Sequence, residues 1–276
     1  MSPYVFYTNH LLSLFCSILT VVLSTIVLYR HVTLKTPTRQ YTMIFIVVRF
    51  QILYALNTAV YCIYCIVMQQ VRIPNLELTF WHGTVTFALN VATRTIEIFP
   101  AVDRIIAVSY PFAYKKTVKY NVCCCLAFSA FVFLALILCF VAYRLPQGVT
   151  AIAFNGYADE HAFYVIATTG LVFCCSHISL TIVVILKVRQ FKKKMSASTS
   201  GGTAHTRKAN SIVLYQMVLA VVFEVVPVFM SLFIGIVWNV QATHTVGPIE
   251  TTLLAVYVFT CSILHWKKQR KTSDSS

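Results

Sequence analysis

Residues 103–114 read DRIIAVSYPFAY, at the point where a long apolar segment ends and a basic loop begins. Ionised groups are costly beside hydrocarbon, so an Asp103-Arg104 pair at that boundary calls for a role. A bare charge pair at a helix end would account for those two residues. It leaves the spaced Ala107, Val108, Pro111 and Tyr114 without a reason, and the surrounding chain has to supply one.

Outward from that stretch the chain is strongly apolar. Its 276 residues are 58% hydrophobic and 11% charged, with a mean hydropathy of +0.76. Soluble domains carry about 25% charged residues, so lipid is the main solvent here. A hydrocarbon core about 30 Å thick takes roughly 20 apolar residues per helix. Seven runs reach that length: Leu11 to Tyr29, Tyr41 to Val67, Phe80 to Ala107, Val122 to Tyr143, Ala162 to Leu186, Ser211 to Trp238 and Ile249 to Trp266. The expected fold is an all-α membrane protein, a seven-transmembrane helix bundle forming one domain over residues 1–276. The last run is the shortest and has Glu250 near its start, which leaves six crossings as the alternative.

The net charge of +14 resembles a nucleic-acid signature until its distribution is read. Arg30, Lys35 and Arg39 follow the first run, and Arg104, Lys115, Lys116 and Lys119 follow the third. Lys187, Arg189, Lys192, Lys193, Lys194, Arg207 and Lys208 follow the fifth, and Lys267, Lys268, Arg270 and Lys271 follow the seventh. The alternate set of connections holds only Arg72 and Arg144, leaving Arg49 and Arg94 inside runs. Basic loops stay cytoplasmic, so the N-terminus is expected outside and the C-terminus in the cytoplasm. The bases then face the anionic inner leaflet of the bilayer, and nucleic acid is not an expected partner.

Only Met1 to His10 precede the first run, with no basic stretch. The first run is therefore expected to be a retained anchor, and a ligand to be met by loops or by the bundle itself. The ten cysteines all fall in apolar runs, where a free thiol behaves as a small hydrophobe. Cys62 and Cys65 have CxxC spacing without a second ligand pair, so neither a disulfide framework nor a metal site is expected. Ser176 and His177 are adjacent without an acid partner, so no catalytic set is read.

Residues 187–210 form the longest connection. Its core SASTSGGT (196–203) reads as a flexible polar tract. Two uses stand open: a solvated linker, or a segment contacting a cytoplasmic partner or headgroups and tuned by phosphorylation of Ser196, Ser198 or Thr199.

Four charges lie well inside the runs, away from their ends. Arg94 and Glu97 are one helical turn apart in the third, Glu224 is central in the sixth, and Arg49 is in the second. Such groups are driven inward toward opposite charges, and the expected pairs are Arg94 with Glu224 and Arg49 with Glu97. They either tie helices together or are reshuffled when a ligand binds. Pro227 removes a backbone hydrogen bond and is expected to kink the sixth helix, giving it a pivot. Asp103 can hold Arg104 at rest, and its release would free a long, always-charged side chain for a partner.

D-R-x-x-A-V-x-x-P-x-x-Y at the end of a third span resembles rhodopsin-like G-protein-coupled receptors, with Asp103, Arg104, Ala107, Val108, Pro111 and Tyr114 at the matching places. The rest departs from that pattern. The first span lacks its asparagine, the second its aspartate, the fourth its tryptophan and the fifth its proline. Of the sixth-span C-W-x-P only Pro227 remains, and Tyr257 stands without the rest of N-P-x-x-Y. No lysine lies within the seventh span, which excludes a retinal Schiff base, and no other cofactor is expected. VVRF (47–50), ATRTIEIFPAVDRIIAVSYPFAY (92–114) and RKANSIVLYQMVLAVVFEVVPVF (207–229) are more similar to the nematode serpentine chemoreceptors of class beta-c (Srbc), nearly end to end. The resemblance implies a chemosensory receptor in the plasma membrane of sensory neurons. It also implies a small-molecule ligand and signalling to a heterotrimeric G protein.

Small-molecule sites are concave and mostly apolar with a few polar groups. The outer half of the bundle offers Tyr61, Tyr64, Trp81, His82, Phe87, Asn90, Tyr164, Phe229 and Phe233, with Arg94 as a floor. The same residues are equally available for packing, and Trp81 and Trp238 for anchoring at the interface. The coupling face is expected around Arg104, Pro111, Tyr114 and the bases near Lys192 and Lys208. A transporter or channel using Arg49, Arg94, Glu97 and Glu224 as an ion path is the alternative. The chain has no internal repeat or paired broken helices to support it.

Overall fold

Asn75 starts the third helix as a cap. The first amides of any helix lack partners within it, and the Asn75 side chain accepts from the Leu78 N–H at 3.1 Å. The computed structural model describes residues 3–33, 41–71, 75–145, 154, 157–195, 203–230 and 249–273. They form α1 (Pro3–Thr33), α2 (Thr42–Val71), α3 (Leu76–Ser109), α4 (Pro111–Ala142), α5 (Glu160–Met195), α6 (Thr203–Ala220) and α7 (Ile249–Ser273). Among the described residues the only strand-like pairing is one bridge between Arg144 and Ala158. The described residues thus form an all-α bundle of seven helices.

The helices outrun the apolar segments. The largest difference is in α4, which begins at Pro111 and not near Val122, so the basic stretch expected as a loop is its first three turns. Hydropathy marks what lies in lipid, whereas backbone pairing continues into water. Proline at the first helical position needs no N–H partner and has its φ preset. Only Tyr110 separates α3 from α4.

Six of the helices are long and apolar enough to cross a membrane, within 4–33, 42–70, 116–142, 168–190, 210–230 and 249–267. The exception is α3, and its packing gives the reason. It touches α2, α4, α5 and α6, and every residue from Ala88 to Glu97 is buried. A helix enclosed by its neighbours does not need a lipid-facing apolar stripe. It can carry Thr, Asn, Arg and Glu where α4 and α5 must present hydrocarbon.

The bundle closes through α1 against α7. Ser13, Ser17, Thr20 and Ser24 are buried and lie three or four apart, on one face of α1. Ser13 donates to Thr252 at 3.0 Å, and Ser24 and Ser262 meet at 2.8 Å. Small hydroxyl residues let the two backbones approach closely and join them by hydrogen bonds.

Pro227 leaves its mark on α6 as a π turn. From Val221 to Val225 the helix widens, and the Val226 N–H bonds the Val221 carbonyl five residues back. Proline cannot donate, and a one-residue bulge before it lets the ladder resume over residues 226–230. Glu224 lies within this turn and is buried.

Candidate functional site

Helix α3 is the axis on which the site is strung. At 1.5 Å per residue, Gly83 and Asp103 stand about 30 Å apart along it, one hydrocarbon thickness. Each level between them holds a different chemistry.

At one end Asp103 and Arg104 are both 1% exposed. Arg104 Nη2 pairs with Asp103 Oδ2, and Arg104 Nε donates to the same oxygen at 3.2 Å. Arg104 Nη2 also donates to the Tyr114 hydroxyl at 2.8 Å, and that hydroxyl donates to Asp103 Oδ2 at 3.0 Å. The guanidinium lies 5.7 Å from the centre of the Tyr114 ring. Asn121 Nδ2 reaches the other carboxylate oxygen at 3.4 Å. The result is a closed ring of charge-assisted hydrogen bonds that ties α3 to the start of α4. Asn121 is absent from the motif, although its position seven residues after Tyr114 places it on the same helix face. Pro111 opens α4; its side chain, like those of Lys192 and Lys208, lies outside the described residues.

Midway along α3, Arg94 and Glu97 are buried, with Glu224 of α6. Gln51 of α2 donates to Glu97 Oε1 at 3.0 Å. Glu97 also faces Glu224 and the Tyr257 hydroxyl of α7. Glu224 lies in the field of Arg94, which His177 of α5 adjoins as well. Glu97, His177, Gln216 and Tyr257 border a cavity of about 10 Å³, which is space for about one water.

The expected Arg49–Glu97 pair is corrected here. Arg49 is on the exposed side of α2, near His31 of α1, and Gln51 takes the place beside Glu97. Two residues along a helix are turned about 200° from each other, so a Gln51 that faces inward sends Arg49 outward.

At the far end Phe154, from the connection between α4 and α5, is 1% exposed. Its ring stacks on Phe87 at 5.2 Å and meets the edge of Phe140 at 5.0 Å, with Phe80 at 6.1 Å. Gly83 lies directly against it: a Cβ there would collide with the ring and come within 2.6 Å of the Phe154 Cβ. Arg144 lies 4.5 Å from the centre of the Phe80 ring and bonds Glu77 at 2.5 Å. Gly83→Ala is therefore expected to unseat Phe154 at a cost of about 1–3 kcal/mol. A lowered melting temperature and faster proteolysis between α4 and α5 would register it.

The Arg144 contact holds the Glu77 carboxyl below its ordinary value of 4.5. A carboxyl lowered on folding contributes its contact above that value and loses it as pH falls through the folded-state pKa. Proteolysis between α4 and α5 is accordingly expected to speed up below about pH 4.5 in the natural chain. In Glu77→Gln that pH step is expected to vanish.

The remaining candidates scatter. Tyr61 is buried and packs with Phe6 and Cys65. Tyr64 stacks on His82 at 5.4 Å, and its hydroxyl meets that of Thr79 at 2.7 Å. Asn90 is buried. Trp81 and Phe229 are each 44% exposed and point away from the bundle interior, which corrects their place in a pocket. Their register faces outward while Phe80 and Val228 face in. Phe233, Trp238, Ser196, Ser198 and Thr199 lie outside the described residues, as does the side chain of Tyr164. Nine cysteines are described and all are free. Among the described residues no group of three His, Cys, Asp or Glu gathers to hold a metal ion.

Seven helices, among them a buried polar α3 that ends in an Asp-Arg-Tyr ring, define a serpentine membrane protein of the G-protein-coupled-receptor type. The family model described as "Serpentine type 7TM GPCR chemoreceptor Srbc" matches residues 1–267. The chain belongs to that family, and it is a multi-pass membrane protein. Among curated proteins none matches it.

Proposed function

We propose that the chain is a chemosensory receptor of the plasma membrane, with its N-terminus outside, that binds a small molecule within the bundle and activates a heterotrimeric G protein. The cells that carry it are sensory neurons. The observation behind this reading is the closed Asp103–Arg104–Tyr114 ring at one end of α3. Asp103 and Arg104 are neighbours on α3, and a shift of α3 against α4 would withdraw the Tyr114 hydroxyl and Asn121 that complete the ring. With those gone Arg104 is held by Asp103 alone, and its planar donor is free to turn to a partner's carbonyl or carboxylate groups. The charged layer at Arg94, Glu97 and Glu224 joins α3 to α6 and carries movement from the outer half to this ring.

The test uses the full chain in lipid nanodiscs and vesicles, with a panel of volatile and water-soluble compounds. Ligand-dependent nucleotide exchange on an added G protein, without solute flux through the vesicle, is the expected result. Flux that needs no G protein would establish the transporter reading instead. Accessibility of a tag at Met1 from outside intact cells checks the orientation separately.

A further inference from the structure

The outward face of α2 carries one charge. Its exposed stripe runs through Arg49, Leu53, Leu56, Val60, Ile63 and Val67, three or four apart and so on one side of the helix. The aliphatic members suit hydrocarbon, and Arg49 does not. It stands where α1 ends and α2 begins. His31 of α1 stacks on Phe45, one turn before Arg49, with ring centres 3.5 Å apart, and it lies in the field of Arg49. Arg30 belongs to the same last turn of α1, so two guanidinium groups and an imidazole gather at this end of the α1–α2 groove.

No acid answers them. The first acidic residue of the chain is Glu77, which bonds Arg144, and Asp103 bonds Arg104. Glu97 accepts from Gln51, and Glu224 lies in the field of Arg94. Asp159 and Glu160 stand at the start of α5, at the Gly83 end of α3. Glu250 is two residues from Thr252, which meets Ser13, about 27 Å along α1 from His31. Asp274 lies outside the described residues. Among the described residues Arg49 therefore has no anionic partner.

Depth decides what can reach it. Gln51 meets Glu97, which stands about 9 Å from Asp103 along α3, and Arg49 is about 3 Å nearer that end along α2. Asn121 marks the Asp103 level on α4. Lys116, Lys119 and Tyr120 are exposed on one side of that level, and Leu126, Phe128 and Phe131 on the other. Exposed bases give way to exposed hydrocarbon there, so Arg49 starts about 6 Å inside the boundary. From that depth an arginine extends its head to the headgroups along its own apolar stem. An unpaired charge at such a place is costly, and a guanidinium fork can take two phosphate oxygens at once.

We propose that Arg49, with Arg30 and His31, forms a binding site for the phosphate of an anionic phospholipid whose acyl chains lie along Leu53, Leu56 and Val60. The lipid supplies the negative charge that the chain lacks at this point. The proposal does not depend on the receptor reading, and its failure would leave that reading standing.

The full chain in nanodiscs tests it, with phosphatidylglycerol or phosphatidylcholine carrying a photoreactive group near the headgroup at equal mole fraction. Mass spectrometry reads the crosslinks. In the natural chain, residues 28–53 are expected to take up phosphatidylglycerol about fivefold or more over phosphatidylcholine. Arg49→Gln should bring that ratio close to one, and Arg49→Lys, which keeps the charge without the fork, should retain part of it. Lys116→Gln, at an exposed base on α4, should leave the ratio unchanged. Equal losses in Arg49→Gln and Lys116→Gln would mean diffuse attraction to the whole basic face and would overturn the proposal. The natural chain also decides without any variant: no anionic excess over residues 28–53, or the same excess over the start of α4, overturns it too. Excess soluble glycerol phosphate should not compete, because it lacks the chains that hold a lipid against the stripe. Full competition would make the groove a site for free phosphate and refute the lipid as its occupant.

Discussion

Arg104→Ala is expected to reduce ligand-stimulated G-protein activation by a factor on the order of 10–100 while leaving most of the protein at the cell surface. The asymmetry comes from what remains. Stripping one partner from a buried ion pair usually destabilises by about 3–5 kcal/mol. Here Asp103 keeps the Tyr114 hydroxyl at 3.0 Å and Asn121 at 3.4 Å as donors, which offsets part of that loss. No other side chain supplies the guanidinium, and lysine does not reproduce its fork. Asp103→Asn should act in the opposite sense, weakening the hold on Arg104 and raising ligand-independent nucleotide exchange several-fold. Surface labelling alongside exchange assays decides the matter. Parallel loss of both in Arg104→Ala would make the ring a folding element alone.

Arg94→Ala is expected to be the most damaging change to stability. It removes the positive charge nearest Glu224 from a layer that also holds Glu97, with all three residues buried. Two carboxylates then face each other in a dry interior, and an uncompensated buried charge costs about 3–5 kcal/mol. Against a total stability of roughly 5–15 kcal/mol, surface expression should fall sharply. Adding Glu224→Gln should restore part of the thermal stability of the purified protein. An Arg94→Ala chain that melts at the natural temperature would show the layer to be electrostatically unimportant.

The same layer shows where reading residues in order reaches its limit. Glu97 and Glu224 were legible as buried groups because charge within an apolar run has few other places to go. Their neighbours were not legible. Gln51 is an ordinary polar residue in sequence, and it displaced Arg49 as the partner of Glu97 because α2 is rotated that way. Asn121 adds a donor to the Asp103 ring, yet no run or motif singles it out. The candidate pocket divided in the same manner. Phe87 faces the aromatic seat, while Trp81 and Phe229 face outward, and all three look alike as aromatics in apolar helices.

By itself, the sequence determined the all-α, membrane-spanning class, the alternation of basic stretches and the Asp103, Arg104, Tyr114 spacing. Solvent preference and helical periodicity are local, so they survive in a string of letters. Tertiary structure alone decided that α3 is enclosed, that Gln51 meets Glu97, and that Phe154 from a connecting segment fills the seat over Gly83. Each of those depends on the rotation and depth of one helix against another. Those quantities are set by contacts between residues far apart in the chain, where a turn of 100° exchanges one side chain for the next.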